Sequence, residues 1–249
     1  MANENGICGL SGNALKIIAA ISMLIDHIGV ILLPGVTVLR IIGRIAFPIY
    51  AYMIAEGCFY TRNKLRYFLS IFTLGIGCQL VYSLYDGGKL FGILITFSLS
   101  IIIVYALQHM YKALASESVK TFLKILSVLI FAAAVFGVYL LNEIFLIDYG
   151  FLGCLAPVFV SIFKIPGKKA ANQRSWERPL QVISLGVCLL CLVFTMGSRQ
   201  LYALLALPLL LLYSGRRGKL KMKYFFYVFY PLHLAILQGI SSLFLSAEY

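Results

Sequence analysis

Long apolar runs separated by short polar segments dominate the chain. Nine runs can be marked off, and in each of them apolar residues follow one another without the alternation that a strand would show. Their ranges are 14–33, 39–60, 67–85, 91–110, 121–141, 149–163, 180–197, 200–214 and 224–245. Because a helix needs about 20 apolar residues, and at least about 17, to cross a bilayer core, most of these runs predict transmembrane helices.

The sixth and eighth runs, 149–163 and 200–214, have about fifteen residues each, fewer than a full crossing requires. They could re-enter the membrane from one side or cross it where the bilayer is thin. With both counted as crossings, the pattern predicts an all-α integral membrane protein. It is a bundle of about nine transmembrane helices that forms a single domain over residues 1–249.

Composition agrees with a membrane location. Of the 249 residues, 61% are hydrophobic and 12% are charged, whereas a soluble domain has about 25% charged residues. So few charges cannot cover a water-exposed surface, and most of the surface must face lipid. Residues 1–13 also lack the basic stretch that opens a cleaved signal peptide, and we therefore expect the first helix to be retained.

The positions of the basic residues predict the orientation. If nine helices alternate in direction, 17 of the 21 lysines and arginines lie on the side of the amino terminus. The other side receives Arg40, Arg44, Lys89 and Arg199. Because positive charge marks the cytoplasm, we expect the amino terminus inside and the carboxyl terminus outside the plasma membrane of a bacterial cell.

A net charge of +12 would suggest nucleic acid as a partner of a soluble protein. Here the basic residues lie at helix ends in short loops, where topology and anionic lipid explain most of them. We therefore predict the lipid bilayer, and not nucleic acid, as a partner. The loops 164–178 and 215–223 hold enough cations to bind phosphate groups in addition.

Ionisable residues inside the predicted helices are the candidates for a functional site, because they are costly in lipid and usually face the bundle interior. Asp26 and His27 are neighbours in the outward half of the first helix. Successive helical residues point about 100° apart, so Asp26 needs a partner other than His27. Lys16 lies three turns before His27 on the same face, about 16 Å away along the helix axis.

The second run holds two arginines at helical spacing. Arg40 and Arg44 are four residues apart, share one face, and are the nearest candidates to neutralise Asp26. Pro48 cannot donate a hydrogen bond to the carbonyl of Arg44, and we expect a kink there.

Further polar residues occur at the cytoplasmic end of the second run and within the ninth. Glu56 could reach the interface, or pair with Arg62 or Lys16. His233 lies near the middle of the membrane just after a proline, and Tyr230 precedes it by three residues on the same face. A buried histidine beside a proline suggests a lined cavity.

Two polar residues at the outer end of the sixth run are weaker candidates. Asp148 and Tyr149 could contact an external substrate. Loop residues of this kind are usually solvated, and we expect that state for both.

Motifs narrow the chemistry. The sequence has no Walker loop, dinucleotide fingerprint, HExxH motif or nucleophile elbow. Its CxxC pair, Cys188 and Cys191, lies inside an apolar run with no second pair, so no metal site is predicted. Chemistry would then depend on histidine as general base or acid, although His27 could instead be a hydrogen-bonded packing residue.

Three stretches resemble a known family. They are LKIIAAISMLIDHIG at 15–29, LRIIGRIAFPIYAYMIAEG at 39–57 and FYPLHLAIL at 229–237. Together they resemble the TraX family, typified by the membrane acetylase of conjugative F-type pilin. TraX-like proteins are similar in turn to the transmembrane acyltransferase superfamily, which includes acyltransferase-3 and lysosomal heparan acetyltransferase members.

The resemblance implies a membrane-embedded acetyltransferase. It would move an acetyl group from cytoplasmic acetyl-CoA, its co-substrate, to an amine or hydroxyl acceptor at or across the membrane. The acceptor could be pilin, a glycan, a lipid or a peptide, and the acetyl group could pass directly or through an acetyl-histidine.

The same resemblance assigns roles to residues. His27 and Asp26 would be the catalytic residues, with His27 as the base. Lys16 keeps the spacing of a basic residue eleven positions before that histidine. Arg40 and Arg44 form RxxxR where many acyltransferase-3 members have RxxR. The residues assigned to substrate or CoA binding are Lys16, Arg40, Arg44, Glu56, His233 and Tyr230.

Two other functions are open. A small-molecule permease or flippase would use the same buried charges along a translocation path, but the two halves show no inverted repeat. A non-catalytic membrane subunit would leave the buried histidines unexplained.

Overall fold

The computed structural model describes residues 9–86, 90–164, 176–219 and 222–247, with backbone alone at 84–86, 223 and 244–247. Lys89 lies outside the described residues. So do residues 165–175 and 220–221 of the two predicted basic loops.

Helices make up nearly all of the described chain. In order they are α1 (Gly12–Ile31), α2 (Thr37–Gly43), α3 (Ala46–Tyr60), α4 (Lys64–Asp86), α5 (Ile93–Ala115), α6 (Thr121–Ile144), α7 (Gly150–Ile162), α8 (Glu177–Met196), a 3-10 helix (Ser198–Leu205), α9 (Ala206–Leu211) and α10 (Lys223–Ala247). The described residues contain no strand beyond two isolated β-bridges. The prediction of an all-α membrane protein is confirmed.

Seven segments are long and apolar enough to cross a membrane. They are α1, α2 with α3, α4, α5, α6, α8 and α10. The sixth and eighth runs of the sequence correspond to shorter apolar segments, α7 and the stretch Ser198–Leu211 that joins the 3-10 helix to α9.

α7 is short, yet it lies beside α3 from one end to the other. The ring of Tyr149, which precedes α7, stacks on Phe47 at the start of α3 with the ring centroids 4.0 Å apart. Lys164, which follows α7, forms an ion pair with Glu56 near the end of α3. The two helices are therefore parallel and cover the same depth of the bundle.

The segment of the 3-10 helix and α9 covers a similar depth. Its 3-10 helix contacts α2, and Tyr213, just after α9, donates a hydrogen bond to Glu56 at 3.4 Å. We call the end of the bundle near Lys16, Arg62 and Arg217 the basic end. We call the end near Arg40 and Tyr149 the far end.

The second run is interrupted between α2 and α3. Arg44 and Ile45 form a turn, and α3 begins at Ala46 with Pro48 as its third residue. Proline is tolerated in the first turn of a helix because the N–H there has no intrahelical acceptor. The kink predicted from Pro48 is thus a break in the helix, which directs Arg44 into the bundle.

Candidate functional site

Asp26 is neutralised by both arginines of the second run. Its Oδ2 accepts a hydrogen bond from Arg40 at 2.6 Å, and its Oδ1 accepts one from Arg44 at 3.0 Å. The Asp26 side chain is 16% exposed and that of Arg44 is 11% exposed. The predicted partners of Asp26 are confirmed, and both arginines are used at once.

This contact depends on a glycine. Gly43 ends α2 and faces Asp26 so closely that a Cβ at this position would overlap the Asp26 carboxyl group. Glycine is the residue that allows a backbone to approach another group this closely. The ion pairs of Asp26 therefore depend on the close packing of α2 against α1.

Tyr149 and Asp148 extend the charged group at the far end. Arg44 Nη1 donates to the Tyr149 hydroxyl at 3.4 Å, and Tyr149 adopts a left-handed backbone with φ 60°. Burial raises the pKa of Asp148 to about 6, although the nearby Arg44 opposes the shift. Both residues are partly buried, so the expectation that they are solvated loop residues is wrong.

His27 faces a different partner from its neighbour. Its Nδ1 lies 3.0 Å from Nε2 of His233 in α10, and its Nε2 lies 3.4 Å from the hydroxyl of Tyr82 in α4. His233 Nδ1 in turn lies 2.8 Å from the carbonyl oxygen of Phe229. Two candidate residues 206 positions apart are thus brought into direct contact.

Aromatic rings hold His233 on two sides. Phe229 stacks on it with centroids 5.0 Å apart, and Tyr230 meets it edge to face at 5.5 Å. His233 is 5% exposed. Its position is consequently determined by packing as well as by hydrogen bonds.

A cavity of about 660 Å³ extends from the basic end toward the two histidines, a volume within the range of about 300–1,000 Å³ that is usual for ligand sites. Basic side chains line it at one end, namely Lys16, Arg62, Arg66 and Arg217. The three arginines among them are exposed, so this end is open to the surface.

The end of the cavity nearer the two histidines is largely apolar and is lined by buried side chains. Met23 and Phe229 line it, each one helical turn before His27 or His233, together with Tyr230. Met23 and Tyr230 are 6% and 8% exposed. This end of the cavity therefore lies one helical turn from His27 and His233, although neither histidine is among the residues that line it.

Glu56 lines the same cavity, but its partner is not the one expected. Its carboxylate binds Lys164 and accepts a hydrogen bond from Tyr213. Neither alternative given for Glu56, a position at the interface or a pair with Arg62 or Lys16, describes its ion pair. Glu56 is buried, and its partner Lys164 follows α7, 108 positions later in the chain. The Lys164 ammonium also lies over the rings of Phe59 and Tyr60, at 4.9 and 4.7 Å.

The structure thus separates the sequence candidates into three places. Asp26, Arg40 and Arg44 form the charged group at the far end. His27 and His233 lie in contact beside the apolar end of the cavity, which Tyr230 lines. Lys16 and Glu56 line the cavity nearer the basic end. Tyr82 and Lys164 were missed, and no local motif marks either of them. Among the described residues, no group of three or more His, Cys, Asp or Glu side chains is placed to hold a metal ion.

Comparison with known proteins identifies one family and two relatives. The family model described as TraX protein matches residues 11–241. A relative named probable fimbrial assembly protein FimC, serogroup H1, of Dichelobacter nodosus is 25% identical over 90% of this chain and 92% of its own. Uncharacterized protein RP591 of Rickettsia prowazekii (strain Madrid E) is 48% identical over 52 residues, a fifth of either chain. No solved structure matches.

Proposed function

The chain belongs to the TraX family, and we propose that it is a multi-pass acetyltransferase of the bacterial plasma membrane that takes its acetyl group from cytoplasmic acetyl-CoA. The observation that carries the proposal is the cavity that begins among basic side chains and ends one helical turn from His27 and His233. Acetyl-CoA has the matching order of groups, with phosphates at one end and a reactive thioester at the other.

The basic end suits the nucleotide part of CoA. Lys16, Arg62, Arg66 and Arg217 would bind its phosphate groups, and charge-assisted hydrogen bonds of this kind are about twice as strong as neutral ones. Because the three arginines are exposed, each would contribute modestly and in a salt-dependent way.

The length of α1 suits the pantetheine arm. Lys16 and His27 are eleven residues apart on one helix, about 16 Å along its axis. Between them the cavity wall is formed by apolar and tyrosine side chains such as Tyr50, Met53 and Leu94. An extended arm bound there would place the thioester at the level of the histidines.

At that point His27 acts as general base. The acceptor nitrogen or oxygen attacks the thioester carbonyl, and its proton passes to His27. Collapse of the tetrahedral intermediate breaks the carbon–sulfur bond, and the same proton passes to the departing thiolate. The products are the acetylated acceptor and CoA, with no net change in protons.

The orientation forms part of the proposal. The basic end would face the cytoplasm and the far end the outside, as the distribution of lysine and arginine favours. The parallel contacts of α7 with α3, and the similar depth of the Ser198–Leu211 segment, support nine crossings. The name of the Dichelobacter relative supports a pilus subunit as one candidate acceptor.

The test compares two histidines. His27→Ala should lower acetyl transfer by roughly 10²–10⁴-fold, the usual contribution of a positioned general base, while CoA binding persists. His109→Ala is the control, because His109 is exposed on α5. The assay measures release of CoA thiol from acetyl-CoA by the purified protein in nanodiscs, with a bacterial membrane extract as the source of acceptor.

Two results would contradict the proposal. Transfer at the wild-type rate by His27→Ala would remove His27 as the base. Absence of any CoA or acetyl-CoA binding by the wild-type protein would favour the permease or flippase, in which the same buried charges line a translocation path.

A further inference from the structure

We infer that His233 is a positioning residue, which holds His27 in the single tautomer whose proton is on Nδ1 and whose basic lone pair is on Nε2. The inference rests on the proposed function for its catalytic meaning, but the proton arrangement itself follows from four hydrogen-bonding groups in a row.

The first of the four groups, the backbone carbonyl of Phe229, can only accept a hydrogen bond. His233 Nδ1 is 2.8 Å from the carbonyl oxygen of Phe229, and a carbonyl has no proton to give. His233 Nδ1 must therefore carry a proton and donate it. In a neutral imidazole the other nitrogen is then an acceptor, so Nε2 of His233 presents a lone pair.

The same reasoning passes to the next ring. His27 Nδ1 is 3.0 Å from that lone pair, so His27 must donate from Nδ1. The remaining nitrogen of a neutral His27, Nε2, is left as the base. Only this arrangement of protons satisfies all the groups of a neutral pair.

Tyr82 shows where the base points. Its hydroxyl is 3.4 Å from His27 Nε2 and can donate to the lone pair there. An acceptor that gives its proton to His27 must therefore approach from the side of Tyr82 in α4. The backbone carbonyl of Met23, one helical turn before His27, also accepts a hydrogen bond from the His27 ring. Without His233 that carbonyl alone would favour a proton on Nδ1. The ring could then place its proton on Nε2, and the base would face away from the side of Tyr82.

His233 is suited to a positioning role because its own ring is held in place. Phe229 and Tyr230 pack against it, so the acceptor lone pair that His27 requires is held in one direction. Orientation of a catalytic histidine by a second fixed group is a general feature of such sites.

Two amide substitutions separate this role from simple packing. In His233→Gln the side-chain oxygen can occupy the place of Nε2 and accept from His27. In His233→Asn the amide can still donate to the Phe229 carbonyl but is too short to reach His27. Both variants keep a polar side chain of similar bulk, and both are first checked for monodispersity and helical content.

The direct measurement is nitrogen NMR of protein labelled in its three histidines. In the wild-type protein we expect a protonated Nδ1 and an unprotonated Nε2 for His27. The His233→Gln variant should keep that pattern, whereas the His233→Asn variant should lose it. Tyr82→Phe should keep it, because Tyr82 does not determine the tautomer. An Nε2 proton on His27 in the wild-type protein would overturn the inference.

Activity supplies the second measurement. We expect kcat for acetyl transfer to fall roughly 10–100-fold in His233→Asn with little change in KM for acetyl-CoA, and to recover to within a few-fold of wild type in His233→Gln. Equal rates in the two variants would overturn the inference. If the wild-type protein transfers no acetyl group, the proposed function fails and the NMR result alone decides the tautomer.

Discussion

Asp26 and His27 are adjacent residues of α1, yet they belong to networks of opposite kind. Asp26 faces the last turn of α2 and the turn that follows it, where Arg40 and Arg44 neutralise it. His27 faces α10 and α4, where its partners are His233 and Tyr82, neither of which carries a fixed charge. We call the first the charged network and the second the histidine network. They differ in whether a hydrogen-bonding group is left available for a substrate.

In the charged network, the carboxylate of Asp26 is fully used by its arginine partners. Both carboxylate oxygens of Asp26 accept from guanidinium groups, and Arg44 also donates to Tyr149 and to the carbonyl of Arg40. An uncompensated charge in a membrane interior is very costly, so these charged groups can be buried only because they pair with one another. The histidine network instead ends in a lone pair that faces a tyrosine hydroxyl. Because successive residues of a helix point about 100° apart, Asp26 and His27 face different helices. One of the two neighbours therefore contributes to stability, and the other is available for chemistry.

Substitution of the two neighbours one at a time gives the largest expected effect on stability. Asp26→Ala leaves two arginines without their carboxylate. Breaking a buried ion pair costs about 3–5 kcal/mol, and we expect the lower end of that range because Arg40 is partly exposed. His27→Ala should instead leave most of the stability intact. Unfolding by denaturing detergent in mixed micelles measures both.

A triple substitution serves as the control. If Asp26 is costly to remove because of the arginines, then replacing Asp26, Arg40 and Arg44 together by neutral residues should recover part of the loss. Equal stability of Asp26→Ala and His27→Ala would mean that the two networks do not differ as described.

Gly43→Ala tests whether the charged network depends on close approach of α2. The added methyl group would overlap the Asp26 carboxyl, and overpacking of this kind costs about 1–3 kcal/mol. Gly137→Ala in α6 is the matched control, because a Cβ there meets nothing within 4 Å. Similar stabilities of the two variants in the same detergent assay would argue against the close contact.

Asp148→Asn tests whether the carboxyl group next to the charged network has a raised pKa. Burial raises the pKa of Asp148 to about 6 from an ordinary 3.8. A raised carboxyl pKa favours the folded state at low pH, and that contribution is lost as the pH rises from about 4 through about 6. Asparagine stays neutral, so the variant should be more stable than wild type at pH 7, by about 1–2 kcal/mol after allowance for partial exposure.

The measurement is the difference in melting temperature between variant and wild type across this pH interval. Taking the difference removes the effect of other carboxylates, which titrate in both proteins. A difference that does not change with pH would show that Asp148 has an ordinary pKa.

Lys16→Gln should give the smallest effect and extends the comparison to the basic end. Because several cations share the proposed phosphate site, we expect CoA affinity to fall about fivefold, or about 1 kcal/mol, at low salt and less at high salt. Lys16→Arg is the control and should retain affinity. A change in kcat with an unchanged dissociation constant for CoA would place Lys16 in the chemistry instead.

The sequence alone determined the class of the protein and the chemistry of its interior. Continuous apolar runs leave helices as the structure that satisfies backbone groups in lipid, and the described helices follow those runs. It also identified Asp26, Arg40 and Arg44 as a group, because a charge in lipid needs an opposite charge and the candidates lay in the next helix.

Only the tertiary structure decided which distant residues meet. His27 and His233 are 206 positions apart, and Glu56 and Lys164 are 108 apart. Neither pair could be predicted, because apolar helices in lipid give little indication of which faces pack together. Close packing of particular side chains makes that choice. For the same reason the sequence could list polar residues in the membrane, but it could not separate those that hold the helices together from those that line a cavity.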